Sequence, residues 1–150
     1  MKKIILLILL FGFSCAVQAM VLHDSQGNVI NSSQFKGKWI IINYWAGWCD
    51  GCIKEIPELN NFYRNNKNQN VLLFGVNYDQ LSFDVLRQAV QRLHIKFPVL
   101  AEDPNTLWNF GDISIIPVTY IINPQGKVVK KILGANTEQS LTDTLNALAR

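Results

Sequence analysis

One segment constrains this chain more than any other: an apolar strand that runs straight into a pair of cysteines. Residues 39–45 read Trp-Ile-Ile-Ile-Asn-Tyr-Trp. A continuous bulky run with three Ile suits a strand buried on both faces. Trp48-Cys49-Asp50-Gly51-Cys52 follows at once, and residues 49–65 carry a helical pattern. Cys49 therefore falls at a helix N-terminus, where unpaired N–H groups and the helix dipole stabilise a thiolate. Cys52 stands one turn later, close enough to close an intramolecular disulfide. An attacking thiolate and a neighbour that resolves the mixed disulfide are what thiol exchange requires. Strand, Trp-Cys-x-x-Cys and helix in this order form a specific signal; the cysteine spacing alone would be a moderate one.

The rest of the chain alternates strands and helices. Residues 21–31 hold a turn, Asp24 to Asn28, between two short extended pieces. Residues 71–76 form a second apolar strand, and Phe83, Leu86, Val90 and Leu93 share one helical face. Pro98 to Ala101 is short and extended. Residues 118–122 and 128–132 flank Asn123-Pro124-Gln125-Gly126, a hairpin-turn sequence. Leu141, Leu145 and Leu148 make the stripe of a closing helix, with Thr137 as its N-cap. This order predicts an α/β fold: a central mixed sheet with helices on both faces.

Length supports one domain. The N-terminus has the layout of an export signal: Lys2 and Lys3, an apolar stretch from Ile4 to Phe13, then Val17-Gln18-Ala19 with small residues where a signal peptidase reads. Cleavage after Ala19 leaves a domain over 20–150. Two other fates fit the same residues. Residues 4–22 contain no charged side chain and come close to the length of a membrane anchor. Gly12-Phe13-Ser14-Cys15 is a poor lipoprotein box, since an aliphatic residue belongs where Gly12 stands. All three place the domain outside the cytoplasm, in the periplasm or tethered to the membrane facing it. Without Lys2 and Lys3, 12 basic residues face 11 acidic ones. No basic run survives in the body of the protein, so nucleic acid is not an expected partner.

Removing the signal also takes Cys15, leaving Cys49 and Cys52. A disulfide between them closes a tiny loop and stabilises little, so the pair points to chemistry rather than scaffolding. Structural zinc wants four ligands, and His23 and His94 stand far apart in the sequence. Covalent haem wants His after the second cysteine, where Ile53 stands. Copper(I) held by two thiolates remains an alternative of a non-enzymatic kind. No resident metal or cofactor is called for. Trp45 reads as core by strand alternation, and Phe62, Tyr63 and Trp108 as packing residues. Pro57 removes a helical N–H and is expected to kink the helix.

Residues 43–59, Asn-Tyr-Trp-Ala-Gly-Trp-Cys-Asp-Gly-Cys-Ile-Lys-Glu-Ile-Pro-Glu-Leu, resemble the active-site segment of thioredoxin-like proteins. They are similar, more narrowly, to the exported TlpA-like and ResA-like thiol-disulfide oxidoreductases. Phe35-Lys36-Gly37-Lys38 resembles that family's lead-in to the strand, and residues 115–127 its proline-containing hairpin. The resemblance implies a thioredoxin-like fold and a reductant of disulfide-bearing substrate proteins, recharged by a membrane thiol donor. It implies that Pro117 is cis beside the disulfide and that Ile116 offers backbone groups to an extended substrate. It gives Glu55 a role in proton transfer. By position alone, a Glu in the first helical turn is a dipole partner at the surface. Thioredoxins carry a buried Asp where Asn43 stands, and an amide cannot accept a proton, which leaves Glu55 as the best carboxylate candidate. Trp48 reads as a substrate contact or a cover over the disulfide.

Departures from the family pattern bear on the direction of electron flow. Asp50 sets a negative charge beside Cys49 and opposes thiolate formation. No His stands between the cysteines, as it commonly does in disulfide oxidants, so a reductant is favoured over an oxidant or isomerase. One family branch serves cytochrome c maturation and carries Gly-Ala-Pro-Glu-Thr at the cis-proline. Here the residues are Ile115-Ile116-Pro117-Val118-Thr119, which leaves that role open. The Thr-x-x-Cys pattern of peroxiredoxins is absent.

Overall fold

The computed structural model describes residues 20–66 and 69–150. The proposed signal at 1–19 lies outside the described residues. Strand β3, Trp39–Trp45, sits at the centre of a five-stranded sheet of order β5-β4-β3-β6-β7. It pairs in parallel with β4, Val71–Asn77, and antiparallel with β6, Val118–Ile122. Strand β5, Val99–Leu100, extends the parallel side, and β7, Val128–Leu133, closes the antiparallel side as an exposed edge. The mixed sheet foreseen from the sequence is present.

Alternation along β3 feeds two apolar layers. Ile41 and Trp45 face helices α1, Asp50–Asn66, α2, Phe83–Arg92, and α4, Glu138–Leu148. Ile40, Ile42 and Tyr44 face the other way. That second face is covered by the hairpin of β1, Val21–His23, and β2, Val29–Asn31, by a 3-10 turn at Ser32–Phe35 and by the short helix α3, Asn105–Trp108. Helices thus lie on both faces, with the three long ones on one. β3 is buried on both sides because each layer removes its bulky side chains from water, at roughly 1.5–3 kcal/mol per large aliphatic residue.

Helix α1 continues through Pro57 as one element. Phe83 departs from the expected apolar stripe: it is 40% exposed, while Leu86 and Val90 are buried. Its ring sits near the turn at Gly27 with Arg87 over it, at the open end of α2. Thr137 caps α4 as expected, accepting from Ser140 N at 3.1 Å while Ser140 Oγ accepts from Thr137 N at 3.0 Å.

Candidate redox site

The chain leaves β3 at Trp45, turns through Ala46 to Trp48, and enters α1 at Asp50. Cys49 N donates to Ala46 O at 3.3 Å, and Cys49 O accepts the first helical bond from Ile53 N at 3.0 Å. Cys49 therefore occupies the N-cap position of α1, where its sulfur accepts the N–H of Cys52 at 3.2 Å. Cys49 and Cys52 are joined as a disulfide, their Cα atoms 5.2 Å apart. Cys52 is 0% exposed and Cys49 8%. The order of accessibility matches thiol exchange, but Cys49 is far less open than a helix N-terminus suggests. It belongs to the apolar cluster beneath α1, against which Ile116 packs.

The Ile116–Pro117 peptide bond is cis. The Pro117 ring meets the start of α1: a Cβ on Gly51 would lie 3.4 Å from Pro117 Cδ. Ile116 is half-buried and touches both apolar layers, while Ile115 is exposed. Trp48 is 63% exposed. Its indole N–H donates to both carboxylate oxygens of Asp79, at 3.1 and 3.0 Å, and its ring meets Tyr78 edge-on. These contacts hold the indole toward the loop after β4. A cleft of about 360 Å³ runs beside it, lined by Gly47, Trp48, Asp79, Val85 and Arg92 among others. A Cβ on Gly47 would lie 3.5 Å from Arg92 Nη2, so the fold brings a cation close to the turn that carries Cys49. Asp50 is therefore not the only charged residue close to the segment that carries Cys49.

Glu55 is not a surface residue. It is 2% exposed and lies against the sheet, one turn after Cys52. Asn43 Nδ2 donates to its Oε1 at 2.8 Å, and Asn136 N to its Oε2 at 2.9 Å. Burial pushes the Glu55 carboxyl above its ordinary range, and the N–H donors of Asn136 and Asn43 pull back part of that rise. Thr119 Oγ1 accepts from Asn43 Nδ2 at 3.1 Å and from Asn136 Nδ2 at 3.0 Å, tying the two amides together. Thr119 lies in the proline-containing hairpin, and Asn136 directly precedes the cap of α4. Neither carried a signal in sequence, because an isolated Thr or Asn is ordinary until its neighbours are known.

His23 and His94 stay away from the cysteines. His23 pairs with Glu102, Nδ1 to Oε1 at 2.8 Å, and the backbone carbonyl of His94 accepts from Asn60 Nδ2 at 2.9 Å. Among the described residues no group of three or more His, Cys, Asp or Glu is placed to hold a metal ion.

Comparison with known proteins agrees with this geometry. The model of the AhpC/TSA family matches residues 14–131. ResA of Bacillus subtilis, a thiol-disulfide oxidoreductase, is 35% identical over 128 residues, which cover 85% of this chain and 71% of ResA. ResA of Bacillus cereus is 30% identical over the same share of this chain and 73% of its own. Among solved structures, StoA of Bacillus subtilis superposes with a TM-score of 0.70 at 24% identity, covering 84% of this chain and 95% of StoA. A thioredoxin-family thiol:disulfide interchange protein of Chlorobium tepidum gives 0.74 at 21% identity, over 86% of this chain and 92% of its own. A chain with this central strand, this cysteine pair at a helix cap and these relatives belongs to the AhpC/TSA family of thioredoxin-like proteins, as a ResA-like thiol-disulfide oxidoreductase.

Proposed function

We propose that this protein is an exported reductant of protein disulfides. The observation that carries the reading is the Cys49–Cys52 disulfide at the cap of α1, with Cys49 the more accessible of the two residues. In the reduced enzyme the Cys49 thiolate attacks one sulfur of a substrate disulfide and expels the other as a thiolate. Cys52 then loses its proton and attacks Cys49, closing the enzyme disulfide and releasing the second substrate thiol. Two electrons pass to the substrate and two protons balance its new thiols. Cys52 is fully buried, so its proton needs an acceptor inside the protein. Glu55, one turn away with a carboxyl raised by burial, fits that task. Ile116, packed against the cluster that holds both cysteines, is read from the family resemblance as offering backbone groups to an extended substrate, and exposed Trp48, held toward the loop after β4, as a separate substrate contact.

Export rests on the pattern of residues 1–19, as a cleaved signal or an uncleaved tether through residues 4–22. Outside the cytoplasm the disulfide form must be recharged by a membrane-borne dithiol. Reduction of cysteines for cytochrome c maturation is one use of such a protein. Redox equilibration in glutathione buffers tests the direction. A reductant is mostly oxidised in a buffer poised near about −180 mV and has a potential below about −200 mV. A protein that stays mostly reduced in that buffer is an oxidant, and the reading fails.

A further inference from the structure

We propose that Asn43, Thr119 and Asn136 are positioning residues that hold Glu55 in a proton-accepting state. The inference rests on the proton-transfer role of Glu55 given above.

A carboxylate in a dry interior is unstable unless its oxygens are hydrogen-bonded. Glu55 is 2% exposed, and each of its oxygens receives one N–H: Oε1 from Asn43 Nδ2 and Oε2 from Asn136 N. Neither donor is free to turn away. Asn43 is 1% exposed on the central strand, and Asn136 is 4% exposed in the loop before α4. Thr119 Oγ1, 0% exposed on β6, accepts from both side-chain amides and locks them to one another. Four residues from β3, α1, β6 and the loop before α4 thus form one closed polar cluster on the helix-facing side of the sheet. Asn43 stands directly opposite Thr119 in the β3–β6 register, which is why the amide and the hydroxyl meet.

The cluster is electrically simple. β3 contributes Asn43, β6 contributes Thr119 and the loop before α4 contributes Asn136, all neutral. On α1 the titratable neighbours are Cys52, one turn before Glu55, and Glu58, one turn after. The Glu58 carboxylate is turned to the N-terminus of α4, accepting from Glu138 N at 2.9 Å. No cation is hydrogen-bonded to Glu55 among the described residues, so its ionisation depends on neutral N–H donors. Removing one donor disfavours the anion, raises the pH at which Glu55 ionises and slows any step that needs the carboxylate.

A purely structural role competes with this one. Glu55 and Glu58 both bind backbone N–H groups at the start of α4, so the cluster also ties α4 to α1. The two roles separate by readout. The experiment follows the pH dependence of mixed-disulfide resolution in Asn43→Leu, Thr119→Val and Thr119→Ser, each alone and combined with Glu55→Gln, with thermal melting alongside. Losing one hydrogen bond to a charged group moves the midpoint upward by roughly one to two pH units. Below both midpoints the rate falls about tenfold for each pH unit by which the midpoint rises. Asn43→Leu, which removes a donor to Glu55, is expected to show this; Thr119→Val, which frees both amides without removing a donor, to show a smaller rise in the same direction; Thr119→Ser to keep the wild-type profile; and none to move the profile further once Glu55 is Gln. Should Asn43→Leu not fold, the near-isosteric Thr119→Val carries the test. If Glu55→Gln alone leaves the profile unchanged, the proton role itself fails. If Glu55→Gln moves it while Asn43→Leu and Thr119→Val lower only the melting temperature, the cluster is structural and the inference is overturned. A change that persists in the Glu55→Gln background overturns it as well.

Discussion

The backbone N–H of Asn136 donates to Glu55 Oε2 at 2.9 Å, although the two residues lie 81 positions apart. This bond joins the loop before the last helix to the helix that carries both cysteines. It brings the carboxyl into a buried setting where its proton affinity is high and its orientation is set.

The first prediction follows from that burial. Glu55 has a folded-state pKa above its ordinary value of 4.5, so the native protein binds more protons than the unfolded chain in the window above 4.5. Its contribution to stability is therefore fully present below that value and is lost as pH rises through the folded pKa. Glu102 acts below that window. Burial raises its pKa, but the bonds from His23 outweigh this and hold it below the ordinary value. Glu55→Gln should remove the decline above pH 4.5 and leave the acid limb unchanged. Denaturant unfolding of both proteins at several pH values checks this; parallel curves would contradict it.

The two cysteines should behave differently when replaced singly. Cys49→Ser is expected to abolish disulfide reduction, because Cys52 is 0% exposed and cannot meet a protein substrate. Cys52→Ser should retain attack and accumulate mixed disulfides, visible on non-reducing gels and by intact mass. Normal turnover by Cys52→Ser would reverse the assignment.

Arg92 should tune the attacking thiol. Its guanidinium lies close to Gly47, two residues before Cys49. Removing a cation disfavours the thiolate, so Arg92→Gln should raise the pH midpoint of Cys49 alkylation. Arg92 is exposed, which keeps the rise under about one pH unit and makes it weaken with salt. An unchanged midpoint at low ionic strength would show that the guanidinium does not act on the sulfur.

Gly75 should tolerate no side chain. It lies on β4 opposite Asn43, and a Cβ there would stand 3.0 Å from the Phe97 ring, 3.1 Å from Trp45 Nε1 and 3.2 Å from Val99 Cγ2. All three neighbours are buried. Gly75→Ala is expected to cost about 1–3 kcal/mol by overpacking the layer beneath the active-site helix. Denaturant unfolding measures it, and a loss below about 0.5 kcal/mol would mean that the layer yields more easily than its packing suggests.

Local pattern alone determined the strand at 39–45, the cysteine pair at the head of a helix, the hairpin around residues 123–126 and the Thr137 cap. In each, the deciding interactions run between residues close in the chain: period-two burial, turn chemistry and the unpaired N–H groups of a helix end. Resemblance to a family supplied the cis bond at Pro117, which no periodicity reveals. Tertiary structure decided what surrounds the sulfurs. Cys49 is only 8% exposed because the apolar cluster beneath α1 closes around it, whereas an isolated helix cap would leave it open. Arg92 reaches the turn before Cys49 from another helix. Glu55 is buried where β3 and the loop before α4 each donate one N–H to its carboxylate, while Thr119 on β6 ties the two side-chain amides together. Asn43, Thr119 and Asn136 are ordinary residues where they stand in the chain. Their meeting depends on the register of β6 against β3 and on the docking of α4, contacts that form only when the sheet and its helices assemble.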